Sequence, residues 1–510
     1  MFAKVNSMGL FGLNAFAVDV EIAVSKGLPR FEIVGLADTA VQESRERIKA
    51  ALYACGIVFP TNSAVINLAP ADLRKNGSMH DLAIFTAILA ALGRVQVPAD
   101  AAVIGEVSLN GDVRRVNGVL PMVLKAKEQG IRTMFVPIEN AREAAVVDGV
   151  TVYGVPDTKA LLSHLEGDAL LTPIGHIGLE ESPHEMVPDF ADVHGQGAAK
   201  YALELAAAGG HNALLIGPPG SGKSMLAKRV PGILPALTFA ESIETTQIHS
   251  VAGLLDAEHP LVTVRPFRSP HHTISSAGLA GGGTIPHPGE ISLAHNGLLF
   301  LDELAEFDRR TLEILRQPLE DRTVTISRAA GTIRYPCSIM LVAAMNPCPC
   351  GYLGHPTRKC TCGQRAAANY LNRVSGPLLD RFDLHIEAAP VSFDDLSSTK
   401  KEESSAEIRK RVAAARAIQT ERFKGTGITC NARITPDKLA HFCPMTDSAK
   451  NLLKAVFEKL GLSARAYDRL LKVARTSADL RGLEVIGEAQ IAEAVQYRTL
   501  DRKYWQTADA

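Results

Sequence analysis

The chain has 510 residues, more than one hydrophobic core can organise, and its length predicts three domains. Lys and Arg number 54 against 55 Asp and Glu, for a net charge of −1, so bulk charge points to no class of partner and only its distribution along the chain is informative. The opening Met1-Phe2-Ala3-Lys4-Val5-Asn6-Ser7 lacks a long apolar core, and no later run approaches twenty apolar residues, so a cytosolic protein without a membrane span is expected and its eight cysteines are expected to be reduced.

In chain order, residues 1–165 alternate apolar strands, such as Ala17–Ile22 and Ala64–Leu68, with amphipathic helices at Ala40–Tyr53 and Leu82–Leu92, an α+β domain. Residues 166–194 carry Glu166, Asp168, Glu180, Glu181, Glu185, Asp189 and Asp192 with Pro173, Pro183 and Pro188, and no Lys or Arg. This composition reads as an acidic linker.

Residues 195–392 contain the chemistry. Gly217-Pro218-Pro219-Gly220-Ser221-Gly222-Lys223-Ser224 fits G-x-x-x-x-G-K-[ST] at every fixed position, after a strand at Asn212–Ile216 and before a helix-forming run at Met225–Arg229. That is a nucleotide phosphate cradle: the loop's N–H groups face phosphates, Lys223 reaches the β- and γ-phosphates, and Ser224 places its hydroxyl on Mg²⁺. The apolar run Leu298–Leu301 predicts a buried strand ending in Asp302 and Glu303. Two acids there suit ATP hydrolysis, Asp302 on the Mg²⁺ shell and Glu303 as the base for the attacking water. A further strand, Ser338–Ala344, runs into Asn346, placed to polarise the same water.

Charge is patterned around these strands. No Asp or Glu occurs from His259 to Gly289, which holds Arg265 and Arg268, or from Arg322 to Leu379, which holds Arg328, Arg334, Arg358, Lys359, Arg365 and Arg373. Loops of this kind suit a bound polyanion or a pore; subunit interfaces and phosphate sensing are the other use of such arginines. Thr323–Arg334 reads as two strands around a Gly-containing turn. Cys348-Pro349-Cys350 and Cys360-Thr361-Cys362 form two C-x-C pairs, a candidate Zn²⁺ site of four thiolates, with free reduced thiols as the alternative. Cys55, Cys337, Cys430 and Cys443 are scattered and read as packing residues. Residues 393–510 turn helical, at Ala406–Phe423, Asp447–Leu460, Ala464–Leu480 and Glu488–Tyr497, a lid beside the nucleotide domain.

Together with Arg265–His272, Gly289–Glu303, Leu315–Asp321, Asn346–Gly351 and Ser375–Asp383, the cradle resembles the magnesium-chelatase-like AAA+ ATPases, and within them the YifB/ComM family of bacterial competence proteins. The resemblance implies an α/β AAA+ domain, a parallel sheet flanked by helices, with an α-helical lid. It places Arg381 as an arginine finger reaching a neighbouring subunit's nucleotide and Arg465 as the lid's phosphate-sensing arginine, and so implies a homo-hexameric ring. It also implies that the Thr323–Arg334 hairpin and the Gly281-Gly282-Gly283 segment face a pore. Residues 73–83, 105–111, 118–120 and 130–133 resemble the Lon proteolytic domain, but Met79 stands where the nucleophilic serine belongs and Leu120 where the lysine base belongs. Ser78 lies beside Met79, yet a serine without a base is a weak nucleophile.

The expected function is therefore an ATP-driven translocase or helicase on single- and double-stranded DNA, independent of sequence, gripping phosphates with Arg328, Arg334, Arg265 and Arg268 and promoting branch migration during natural transformation. A protein unfoldase, which the missing dyad disfavours, and a chelatase motor, whose integrin-type partner domain is absent from the chain, are the alternatives.

Overall fold

The computed structural model describes the chain except residues 27, 29, 36–37, 60–62, 76, 179–186, 284–285, 329–330, 391–401, 499, 501–503 and 506–510. Acidic residues Glu180, Glu181 and Glu185 of the expected linker, Ala329 and Ala330 within the expected hairpin, and the expected boundary at 392–393 lie outside the described residues.

The N-terminal region is built on an eight-stranded mixed sheet in the order Pro173–Ile174, Thr151–Val155, Thr133–Pro137, Ala101–Val103, Phe2–Phe11, Asn14–Ser25, Ser63–Ala69, Arg30–Val34. The first hairpin pairs Phe2 with Ala23 through to Phe11 with Asn14. Val20, Ile22, Ile66 and Leu68 point to one buried face, as strict alternation requires. Helix Asp81–Ala91 is buried along almost its whole length against that face. Its first residue, Asp81, is a buried carboxylate held by the Arg47 guanidinium at 2.8 Å, with the Ser44 hydroxyl also donating to it; an unpaired charge there would be costly.

The acidic segment is anchored at both ends. Pro173–Ile174 adds the outermost strand of the N-terminal sheet and Ile177 is buried against it, while Phe190 is fully buried in the next core.

The central region holds a five-stranded, wholly parallel sheet in the order Phe267–Arg268, Leu298–Leu301, Met340–Met345, Ala213–Ile216, Leu384–Glu387. Its three middle strands are buried at every residue, the reason they read as continuous apolar runs. Leu215, Phe300 and Val342 face one side, packing with helix Gly197–Gly209 and with the C-terminal helices Ser405–Arg422 and Ala464–Leu480. Leu214, Ile216, Leu299, Leu301 and Leu341 face the other, packing with Val324, Ile326, Ile333 and Tyr335 of a hairpin formed by Thr323–Arg328 and Gly331–Pro336. Because all five strands run the same way, their C-terminal ends share one edge, where the cradle, the paired carboxylates and Asn346 follow.

The C-terminal region has helices Ser405–Arg422, Asp447–Leu460, Ala464–Leu480 and Glu488–Gln496. Among the described residues no helix is long and apolar enough to cross a membrane.

Candidate functional site

The cradle leaves strand Ala213–Ile216 and enters helix Lys223–Arg229. Gly220 and Gly222 sit at φ +77° and +83°, conformations that side chains disfavour, and they supply the tight turn. Lys223 folds back over the loop, donating to the carbonyls of Gly217 at 2.8 Å and Pro218 at 2.9 Å, and lies 3.2 Å from Asn346 Oδ1. Burial pushes its ammonium down to about 8, against the upward pull of Asp302 and Glu303. Ser224 donates to Asp302 Oδ2 at 2.5 Å, so the two oxygens expected on Mg²⁺ are adjacent, hard donors as that ion prefers. Asp302 Oδ1 accepts from the Glu303 N–H at 2.9 Å. Glu303 sits at φ 51°, a strained value for a residue with a side chain, and its carboxylate is exposed. The structure thus brings Lys223, Ser224, Asp302, Glu303 and Asn346 into one cluster, and its donor set suits ATP with Mg²⁺.

Two residues of the site escaped the sequence reading. His272 Nδ1 lies 3.3 Å from Glu303 Oε2, holding the carboxylate to one side. Gln196, at φ 58°, donates from its side-chain amide to the Ser221 carbonyl at 3.1 Å and the Ala389 carbonyl at 2.5 Å, tying the segment before the first helix to the loop. His272 was legible in Ser269-Pro270-His271-His272 as a polar run, but only chain folding shows which carboxylate it meets.

The arginines divide. Arg381 is mostly buried within its own chain, donating to the Pro377 carbonyl at 2.9 Å and paired with Glu320, while Arg465 is exposed on the first turn of helix Ala464–Leu480. Arg265 departs from its expected place on a DNA track: it donates to the carbonyls of Pro235 and Asn296 at 2.6 and 2.7 Å and pairs with Glu241 at 3.1 Å. Arg268 is likewise claimed by Glu290, in a two-pronged pair at 2.6 and 2.7 Å. Both serve internal packing because acids outside their acid-free run fold onto them. Arg328 and Arg334, by contrast, are exposed, Arg334 on the polar face of the hairpin and Arg328 at the end of its strand, on the face of Val324 and Ile326 but beyond the buried pair Ile326 and Ile333. A Cβ placed on Gly282 would lie 3.3 Å from Arg328 Nη2, so the Gly281–Gly282 strand and the hairpin are neighbours.

The four clustered cysteines meet. Cys348, Cys350, Cys360 and Cys362 bring their sulfurs within 4.8 Å of one another, with S···S separations of 3.5 and 3.6 Å among the first three. Tetrahedral Zn–S bonds of about 2.3 Å require about 3.8 Å between sulfurs, so the set fits Zn²⁺. Backbone N–H groups, that of Tyr352 first, hold the Cys350 thiol down to about 5, which favours the thiolate ligand. Cys55, Cys337, Cys430 and Cys443 are separate free cysteines.

In the N-terminal region, Leu120 is fully buried and Met79 packs against the same apolar cluster. Where a Ser-Lys dyad would need polar groups, two apolar side chains, a thioether and a hydrocarbon, share a core, and this pair has no proteolytic chemistry.

The comparisons with known proteins agree with this architecture. The family described as magnesium chelatase, subunit ChlI, matches residues 189–396; subunit ChlI of Mg-chelatase matches 20–140 and its C-terminal region 402–498. The chain is 42% identical to Competence protein ComM of Haemophilus influenzae over 509 residues, 98% of each chain. It is 42% identical to the uncharacterized protein YifB of Escherichia coli over 502 residues, 98% of this chain and 97% of that one. A Lon protease of Acinetobacter baumannii is 26% identical over 151 residues, 28% of this chain and 19% of that protein. With a parallel-sheet nucleotide domain, a helical C-terminus and a Lon-like N-terminal region, the chain belongs to the YifB/ComM family of magnesium-chelatase ChlI-like AAA+ proteins, whose ATPase domain implies ATP hydrolysis.

Proposed function

We propose that this protein is an ATP-driven, ring-forming DNA translocase that promotes branch migration of recombination intermediates, as in natural transformation. One observation carries the reading. The hairpin Thr323–Pro336 buries Val324, Ile326, Ile333 and Tyr335 in the same core as Leu299 and Leu301 of the carboxylate strand, and turns Arg328 and Arg334 to solvent. A hairpin seated on the hydrolytic strand and carrying exposed cations at the end of one strand and on its polar face is built to pass a nucleotide-dependent movement to a polyanion. Its contacts are with phosphates, so binding is independent of sequence and weakens steeply with salt. The relative named Competence protein ComM supports a DNA-related role.

In this reading Glu303 activates water, Asn346 polarises it, and Asp302 with Ser224 holds Mg²⁺. Arg381, released from Glu320, acts on the nucleotide of an adjacent subunit in a hexamer, and Arg465 senses phosphate from the lid. The cysteine cluster holds one Zn²⁺. Residues 1–165 form a protease-shaped collar without protease chemistry, joined by 166–194 to the ATPase domain at 195–392 and the lid at 393–510.

The test is Arg328→Ala. It lowers DNA affinity, flattens the salt dependence by about one counterion and abolishes three-strand branch migration, while nucleotide binding and basal ATPase persist. Branch migration at the unaltered rate would refute the hairpin as the grip.

A further inference from the structure

Beyond the phosphate cradle a cavity of about 490 Å³ opens, within the size range of small-ligand pockets. One wall is the cradle itself, Pro218 to Gly222. A second is the segment carrying Val193, His194 and Gln196, and a third is the cysteine loop, through Tyr352, His355 and Arg358.

The third wall is built and closely fitted. Arg358 donates to Tyr352 Oη at 2.8 Å and its guanidinium stands 5.2 Å from that ring's centre, while the rings of Tyr352 and His355 meet edge to face at 5.6 Å. His355 Nδ1 accepts from the N–H groups of Thr357 and Arg358 at 3.2 and 3.1 Å, closing the loop between the two C-x-C pairs. At its root the loop touches the cradle: a Cβ on Gly351 would stand 2.3 Å from Pro219 Cδ, so that approach is open only to glycine. On the opposite wall, His194 Nδ1 is buried with no hydrogen-bond partner among the described residues. A buried ring nitrogen at the edge of a cavity marks a place where a ligand's polar edge is missing.

We propose that the four-cysteine loop is a wall of the nucleotide pocket: Tyr352, His355 and Arg358 cover the base and ribose of the triphosphate whose phosphates lie in the cradle, and the thiolate-bound metal holds them there. The proposal rests on the ATP-binding reading of the cradle and not on the DNA-translocase reading. The aromatic and guanidinium faces supply a surface on which a purine stacks, and His194 Nδ1 meets the base edge. Arg358 thereby has a partner other than DNA. The C-x-C spacing follows, since the loop must project a rigid turn between two metal-anchored ends, which a chain without the metal would leave free to move away from the cradle.

The experiment compares Mg²⁺-ATP with Mg²⁺-tripolyphosphate, which fills the cradle but has no base, by titration calorimetry on the full chain. The double variant Y352A/R358A weakens ATP about tenfold and leaves tripolyphosphate unchanged, the loss of one good stacking surface. The C360S variant, and the unaltered chain stripped of metal by a thiol-tolerant chelator, do the same, while metal analysis reads loss of the ion; re-addition of Zn²⁺ to the stripped chain restores ATP affinity. ATP affinity unchanged in Y352A/R358A, or tripolyphosphate weakened in parallel with ATP, overturns the base wall. ATP affinity unchanged on metal loss overturns the metal's part in it. An unaltered chain that binds neither ligand refutes the ATP reading of the cradle itself.

Discussion

Nucleotide binding should take up a proton at Lys223. In the structure this ammonium is held among carbonyls with its pKa down at about 8 instead of the ordinary 10.5, chiefly because it is buried. A triphosphate placed against it returns the pKa toward the ordinary value, since an anion at contact favours the charged form. Three numbers follow from a free-state pKa of about 8. At pH near 8 about half a proton is taken up per nucleotide bound; at pH about 7.5 roughly three-quarters of the free sites are already charged, and at pH about 9 only about a tenth are. Affinity therefore falls about eightfold across that window, close to 1.2 kcal/mol. The sign is fixed by the direction of the shift: the bound state holds more protons than the free one, so raising pH through the free-state pKa opposes binding. Calorimetry in two buffers of different ionisation enthalpy measures the proton uptake, and the pH series measures the affinity. Lys223→Ala binds weakly with no pH dependence across the window. Equal ATP affinity at both ends of the window in the unaltered chain, with no proton uptake, would refute the depressed ammonium and the argument from its burial.

Glu303→Gln binds ATP as well as the unaltered chain but hydrolyses it orders of magnitude more slowly and remains in its assembled form, as a filter-binding and turnover assay reads; normal turnover would remove Glu303 as the base. Arg381→Ala and Lys223→Ala are each inactive alone, yet recover ATPase when mixed, because a mixed ring pairs an intact cradle with an intact arginine worth about 10³ to 10⁵ in rate; no recovery in demonstrably mixed rings would refute action between subunits. Protein purified without chelator carries one zinc ion per chain and C348S or C362S carries none, so a metal-free preparation with four titratable thiols would refute the site. Releasing the Arg381–Glu320 pair by Glu320→Gln changes ATPase of the assembled ring but leaves nucleotide affinity of the isolated chain unaltered, a distinction that sedimentation and calorimetry together resolve.

Much of the molecule was readable from local pattern. The cradle, the strand Leu298–Leu301 with its two acids, the strand into Asn346 and the C-terminal helices, including Asp447–Leu460 and Ala464–Leu480, are determined by spacing and by apolar runs, which depend on neighbours in the chain. The paired C-x-C motif is likewise a property of residue identity, as are Met79 and Leu120 at the two positions where the resemblance to Lon puts a serine and a lysine.

What the tertiary structure decided is everything that depends on which distant residue arrives beside a charge or a gap. Arg265 and Arg268 look free in an acid-free run, yet Glu241 and Glu290 reach them from outside it. Arg328 and Arg334 look no different in sequence and remain exposed, Arg334 because alternation turns it away from Ile333 and Tyr335, Arg328 because it ends its strand beyond the last buried pair, Ile326 and Ile333. The acidic segment hides Ile177 and Phe190, each buried in a different core, since two apolar anchors contribute little to a composition dominated by charge. The cysteine loop lies against Pro219, and His272 beside Glu303, only because parallel strands deliver their ends to one edge. Pattern along a chain records what each segment must bury; which segments bury one another is settled by the packing of the whole, where every close contact is shared between residues far apart in sequence.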